Sequence, residues 1–396
     1  MQRSKFLSPR LVLYISNLFL YGFTGLYYCF ASLYLNKIHS ASTAGALLAL
    51  AQAVAILAPL FWGMCADKVR YKKTVLLIIM IGATAFYCAV PFSNHFVWLA
   101  FTLASTMFFL SSLGSVLDVI GMEVAGSGGY KYGIMRLMGM VGYGFVAFGL
   151  SLFIGERLNL VFAVCAVLGS ACCICVCFMP RVKGYGNALH RSSDARMGQK
   201  NAFSELFKDT RLLILILVLA TAQISYGYYL NFYPTYLTET LCSPTWLWGM
   251  NVLLMTVGEA PFYLCFDAIF SRFGIEKIVP CVLALTVARY LLLAIVTSYI
   301  GILAIGLFTG MLSVILLYSV QFFVNKNIKK ELRARAQTLV YAFGVCFPRM
   351  LAAIIGGFMT ERIGTSASLA VCSAIPFIAL FALIVFFKKE KIGNHR

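Results

Sequence analysis

From Leu11 to Val385 the sequence is a succession of apolar runs, each about twenty residues long and separated by short polar or charged breaks. A run of that length crosses the roughly 30 Å hydrocarbon core of a bilayer as a helix, the form that satisfies every backbone N–H and C=O within its own segment. A membrane β-barrel would read instead as strands of about ten residues alternating apolar and polar, and that alternation is absent. A soluble globule is excluded by composition: with 61% hydrophobic and 12% charged residues and a mean hydropathy of +0.88, too little polar surface exists to cover it. The fold class expected is all-α and integral to the membrane.

Windows of about twenty residues place spans near 11–35, 42–66, 73–91, 96–122, 133–155, 159–179, 212–237, 245–268, 276–297, 299–324, 334–360 and 365–387. The ninth and tenth meet at Ser298 with almost no linker, so eleven spans is the alternative count. An even number with both termini cytoplasmic puts 27 of the 32 Lys and Arg residues on the inner side, with Arg136 counted there because it lies at the inner end of its span. Lys37, Arg157 and Arg362 fall outside, and Arg289 and Arg349 lie within spans. This asymmetry follows the positive-inside rule and accounts for the net charge of +18 by basic loops beside anionic lipid, without nucleic acid. The first span is longer than a signal-peptide core and is read as a helix. The 13 cysteines, mostly inside spans, read as small apolar fillers and not as a disulfide framework.

The chain also repeats itself at an offset near 205 residues. Tyr21-Gly22 recurs as Tyr226-Gly227, Gly63–Lys73 as Asp267–Lys277, and Gly155-Glu156-Arg157 as Thr360-Glu361-Arg362. The expected organisation is a first six-helix bundle over 1–180, a polar linker over 181–211 with an interfacial helix at 201–209, and a second six-helix bundle over 212–396. Two such repeats are how transporters frame a midplane site.

Charge inside an apolar span is expensive unless it faces a partner, a cavity or water, so it points to function. Asp118 sits late in the fourth span and Arg136 early in the fifth, and they read as half of a solute site. Glu259, Arg289 and Arg349 are the other charges within spans. Helical spacing puts Asn17, Tyr21 and Tyr28 on one face of the first span, and Gln223, Gly227 and Asn231 on one face of the seventh. Clustered with the charges, these residues read as the lining of a wet cavity, although a single Asn or Gln often serves only to join helices. Glu123 and Asp267, at span ends, read as solvated charges or helix clips. Pro261, two residues after Glu259, is expected to open the eighth span locally. Gly139, Gly142, Gly144 and Gly149 read as close helix contacts.

Six plus six spans with the loop Gly63-x3-Asp67-Lys68…Lys72-Lys73 resemble the major facilitator superfamily over essentially the whole chain. The second-half counterpart is Arg272-x-Gly274. The stretch Tyr132-Gly133-x-x-Arg136-x-x-Gly139-x-x-Gly142-Tyr143, with Asp118 eighteen residues before the arginine, resembles the fifth helix of the lactose-permease and phenylpropionate-permease-like branch. Gly258-Glu259 and Arg289 match the same branch, which includes oligosaccharide and nucleoside symporters. The resemblance implies that Asp118 and Arg136 hold solute hydroxyls, that Tyr143 stacks on the solute, and that Glu259 and Arg289 couple protons. It implies that the loop residues Gly63, Asp67, Lys68, Arg272 and Gly274 clip helices during conformational change. The tenth span, 299–324, has no His, Asp or Glu, so lactose-type coupling residues are absent there.

No G-x4-G-K-[S/T] phosphate loop is present, so ATP is not the evident energy source. All four histidines, His39, His95, His190 and His395, lie in loops or tails, which leaves no intramembrane haem or metal set. The expectation is a secondary-active transporter, without cofactor or metal, for proton-coupled uptake of an aromatic acid, sugar or nucleoside by alternating access. It would act as a monomer in the plasma or inner membrane. Buried arginines outnumber Asp118 and Glu259, which favours an anionic solute. The alternatives are a multidrug or metabolite exporter, an uncoupled facilitator, a lipid translocase and, from another class, a membrane-embedded enzyme, for which no base and nucleophile constellation is evident.

Overall fold

The computed structural model describes residues 9–128, 132–155, 157–180, 182 and 206–393. The chain runs through α1 (Pro9–Ile38), α2 (Ala41–Lys68), α3 (Lys72–Ala89), α4 (Phe96–Gly128), α5 (Tyr132–Ile154), α6 (Leu160–Phe178), α7 (Thr210–Thr235), α8 (Thr245–Phe273), α9 (Ile275–Ile295) and α10 (Tyr299–Asn327). The remainder is one helical tract interrupted by a sharp break at Gly364, with φ 76° and ψ 165°. We call its two parts α11 (330–363) and α12 (365–393). Gly274, with φ 72°, makes the equivalent sharp turn between α8 and α9, a backbone region in which residues with a Cβ are strained.

Among the described residues ten helices have the length and hydropathy of a membrane crossing, and one of them, Arg335–Val385, contains both α11 and α12. The 29-residue α8 is long enough to supply the twelfth crossing. The near-continuous ninth and tenth spans are separate helices. The α9 helix stops at Ile295, and Ser298 caps α10 by accepting from the Gly301 N–H at 3.3 Å. Asp209 caps α7 in the same way, accepting from Leu212 N–H at 3.1 Å. Of the linker, only Val182 and residues from Leu206 onward are described; 181 and 183–205 lie outside the described residues, and with them the first half of the expected interfacial helix.

The helices form two compact units. The first comprises Met1–Ile38, Leu50–Arg191 and Ser243–Thr256. Its core is α1, packed on α5 and α6, with the Tyr87 ring in contact with those of Phe23, Tyr27 and Phe162. Glycine permits the α1–α5 approach, because a Cβ at Gly142 would collide with the Leu18 carbonyl oxygen. The second unit comprises His39–Ala49, Ser192–Cys242 and Val257–Arg396. There α7 packs on α11 and α12, and Ser225 donates to the Cys372 carbonyl at 2.7 Å. Gly22 approaches Val146 in the first unit and Gly227 approaches Ala352 in the second, so the repeat offset read from sequence also relates the helix contacts.

Five buried hydroxyls are satisfied within their own helices. Ser16, Thr106, Thr286, Thr309 and Ser319 each donate to the carbonyl four residues earlier, a bond that lets a polar side chain sit in a membrane helix. The expected opening at Pro261 is not seen: α8 continues through it. Helical widening occurs instead as π turns at Tyr236–Thr240 and Ala342–Cys346. Both adjoin another proline, Pro234 or Pro348, whose missing N–H removes an ordinary i→i−4 bond.

Candidate functional site

In the first unit three elements converge on one guanidinium. Arg136, one turn into α5, donates through Nη1 to Asp118 Oδ2 of α4 at 3.1 Å and to the hydroxyl of Tyr21 on α1. Its Cζ also lies 5.1 Å from the Tyr21 ring centroid. Tyr21 fits because two glycines make room. A Cβ at Gly139 would stand 2.6 Å from the ring, and one at Gly114 would stand 3.1 Å from the hydroxyl. The pair remains open, with side-chain exposures of 33% for Arg136 and 23% for Asp118.

The other expected members make contacts of their own. Asn17 is fully buried, and its amide donates to the Leu13 carbonyl of its own helix at 3.0 Å. Tyr28 is half-buried in an edge contact with Tyr27. Tyr143 is half-buried, and its backbone carbonyl is what Gly25 approaches.

The second unit carries a richer cluster. Arg349 Nε donates to Gln223 Oε1 at 2.9 Å and its Cζ lies 5.1 Å from the Tyr226 ring centroid. Gln223, Tyr226 and Arg289 line one small cavity with Thr286 and Ser313. Arg289 is 4% exposed; its guanidinium sits 4.1 Å from the Tyr290 ring centroid and 5.7 Å from that of Tyr229. Its Nε and Nη1 have no hydrogen-bond partner among the described residues. The Tyr226 hydroxyl is within electrostatic range of Glu259, Arg349 and Arg289 together. Asn231 is half-buried, about two turns along α7 from Gln223.

Tyr226 is the member that single-residue reasoning passes over, although the repeat points to it as the counterpart of Tyr21. Each unit thus stacks the tyrosine of its Tyr-Gly pair under an arginine, at 5.1 Å in both cases. The two arginines are not at equivalent positions. Arg349 stands about two turns further along its helix than an offset copy of Arg136 would.

The loop charges act as clips. Lys72, 1% exposed at the start of α3, donates to Glu123 on α4, as expected of a helix-end pair. Lys73 caps the end of α6 through the Cys177 and Met179 carbonyls at 2.9 and 3.3 Å, where the helix dipole favours a cation. Lys68 and Arg272 are exposed, and a Cβ at Gly63 would meet open space. The Asp67 and Asp267 side chains lie outside the described residues.

The profile of the MFS_1 like family matches residues 11–371. This chain belongs to that family. The chain is 21% identical over 369 residues to the uncharacterized transporter YwbF of Bacillus subtilis (strain 168), covering 92% of this chain and 90% of that one. Its fold matches the crystal structure of a point mutant of the nucleoside transporter NupG with a TM-score of 0.86 at 17% identity, over 96% of this chain and 100% of NupG. A POT family transporter in complex with 5-aminolevulinic acid matches with a TM-score of 0.73 at 10% identity, over 96% of each chain. At these identities the likeness is one of fold. By its family, the protein is a multi-pass membrane transporter built on the major facilitator architecture.

Proposed function

We propose that this transporter carries out proton-coupled uptake of a small polar or anionic organic solute, of the aromatic-acid, sugar or nucleoside class, by alternating access. The observation that carries this reading is the partial exposure of the Asp118–Arg136–Tyr21 group. In the Lys72–Glu123 clip the cation is closed off at 1% exposure and only the carboxylate is open, at 30%, whereas here both members are open, Arg136 at 33% and Asp118 at 23%. A carboxylate, a guanidinium and a phenol in one accessible group offer acceptor, donors and an amphoteric hydroxyl to a solute. In the second unit, Gln223, Tyr226, Arg289 and Arg349 form a polar cluster of their own, and Glu259 is the carboxylate that exchanges the proton under the influence of the two arginines.

The excess of arginine over carboxylate in the second unit supports an anionic solute. The fold shared with a nucleoside transporter and with a transporter that binds an amino acid sets nucleosides and small acids first in the test panel. The protein would act as a monomer in the plasma or inner membrane with both termini cytoplasmic. Counterflow in proteoliposomes across sugars, nucleosides and aromatic acids tests the substrate class; trans-stimulated exchange of at least one class is expected, and none would refute the reading. Reporters placed after Arg396 and within 185–200 should both signal from the cytoplasm, and an external signal from either would overturn the topology.

A further inference from the structure

One end of the second unit holds a groove of about 270 Å³ that contains none of the residues assigned above to solute binding or proton coupling. Three cations line it: Arg211 in the first turn of α7, Lys277 in the first turn of α9 and Lys326 in the last turn of α10. Its floor is aromatic and aliphatic, with Phe270, Phe322 and Phe323 beside Leu215 and Leu383. Phe270 and Phe322 stack at 5.3 Å, and the Lys326 ammonium lies 5.9 Å from the Phe322 ring centroid.

We propose that this groove seats an anionic phospholipid of the surrounding bilayer, with its headgroup phosphate among Arg211, Lys277 and Lys326 and the start of an acyl chain on the phenylalanine floor.

Two of the three charges are not placed for helix stability, whereas Lys326, in the last turn of α10, also suits its helix dipole. A cation in the first turn of a helix opposes the macrodipole, yet Arg211 and Lys277 both occupy such positions, and both line the groove. Glu276, the one carboxylate in the lining, already answers the α9 dipole from its first turn, so the lining sets three cations against one anion, a net charge of +2. The groove lies where α7 and α9 begin and α8 and α10 end, the end of the unit whose loops carry its basic residues. That is the headgroup level of the leaflet with negative surface potential. A soluble phosphate would have no use for the apolar floor, whereas a lipid brings the phosphate and the chain together.

The test uses the full-length protein purified in neutral detergent, titrated with phosphatidylglycerol or phosphatidylcholine and followed by native mass spectrometry and melting temperature. Phosphatidylglycerol should bind and raise the melting temperature, and phosphatidylcholine should not. The variant R211Q/K277Q/K326Q should weaken phosphatidylglycerol binding at least tenfold. R70Q/K208Q/K329Q, which removes the same charge from exposed positions outside the groove, should leave it unchanged. The single variants R211Q, K277Q and K326Q give the same reading in graded form should the triple variant fold poorly. Equal response to the two lipids, equal loss in the two triple variants, or full replacement of the lipid effect by inorganic phosphate or glycerol 3-phosphate would each overturn the proposal.

Discussion

Three glycines of α5 make a graded test of whether Tyr21 positions Arg136 for a solute. A methyl at Gly139 would stand 2.6 Å from Cδ2 and 3.1 Å from Cε2 of Tyr21, while the ring's hydroxyl is confined by the open side of Gly114 and by Arg136. Gly139→Ala therefore drives the ring off the guanidinium without changing a charge. Losing one hydrogen bond to a charged group costs about 1.5–3 kcal/mol, which is roughly 10- to 150-fold in affinity. At Gly149 nothing lies within 4 Å of the new methyl. Gly149→Ala should therefore bind solute normally and gain up to about 1 kcal/mol from helix propensity. At Gly142 the methyl would run into the Leu18 carbonyl oxygen; backbone cannot yield as a side chain does, so Gly142→Ala should lose folded protein outright. Half-saturation in counterflow and melting temperature in detergent read the series. Wild-type affinity in Gly139→Ala, or an equal loss in Gly149→Ala, would refute the role given to Tyr21.

Glu259→Gln should abolish accumulation against a gradient while sparing exchange, as measured by proton-driven uptake against counterflow; unchanged accumulation removes Glu259 from coupling. The swap Asp118→Arg with Arg136→Asp should restore expression but not solute binding, because the donors and acceptors presented to the solute are exchanged. Full transport by the swapped protein would instead mark the pair as structural. Glu361 accepts from the backbone N–H and the hydroxyl of Ser42 at 2.9 and 2.8 Å, and chiefly that N–H, with the Ser40 and Ser42 hydroxyls, holds its carboxyl below the usual range. A depressed value means the contribution is complete above the unfolded-state pKa and is lost as pH falls through the lower folded value. Glu361→Gln should therefore lower the melting temperature at neutral pH, with the deficit shrinking in acid below about pH 4; a deficit independent of pH would count against the contact.

Much of the architecture is legible in the sequence because a bilayer punishes ambiguity. Runs of about twenty apolar residues admit one secondary structure, and basic residues sort to one side. A charge inside a span stands out, so Asp118 and Arg136 declare themselves, and their placement on consecutive antiparallel helices makes their meeting at 3.1 Å readable before any coordinates. The repeat adds a second kind of signal, since what holds for Tyr21-Gly22 holds for Tyr226-Gly227.

The residues whose partners sequence leaves open share a different feature: those partners depend on helix rotation. Spacing of three and four shows that Asn17, Tyr21 and Tyr28 share a face, but not which neighbour that face meets. A short amide also has two outlets in a helix, its own i−4 carbonyl or another chain, and Asn17 takes the first. Arg349 meets Gln223 just beyond the π turn at Ala342–Cys346, which offsets the helical face by a residue that no ideal wheel anticipates. The Gly139 cradle is likewise invisible until α1 is laid against α5. Composition and periodicity determined that this chain is a many-span helical membrane protein with charges to account for, and the repeat and the family resemblance made it a transporter. Only packing decided which side chains meet those charges, because helix rotation and separation are set by contacts between residues distant in sequence.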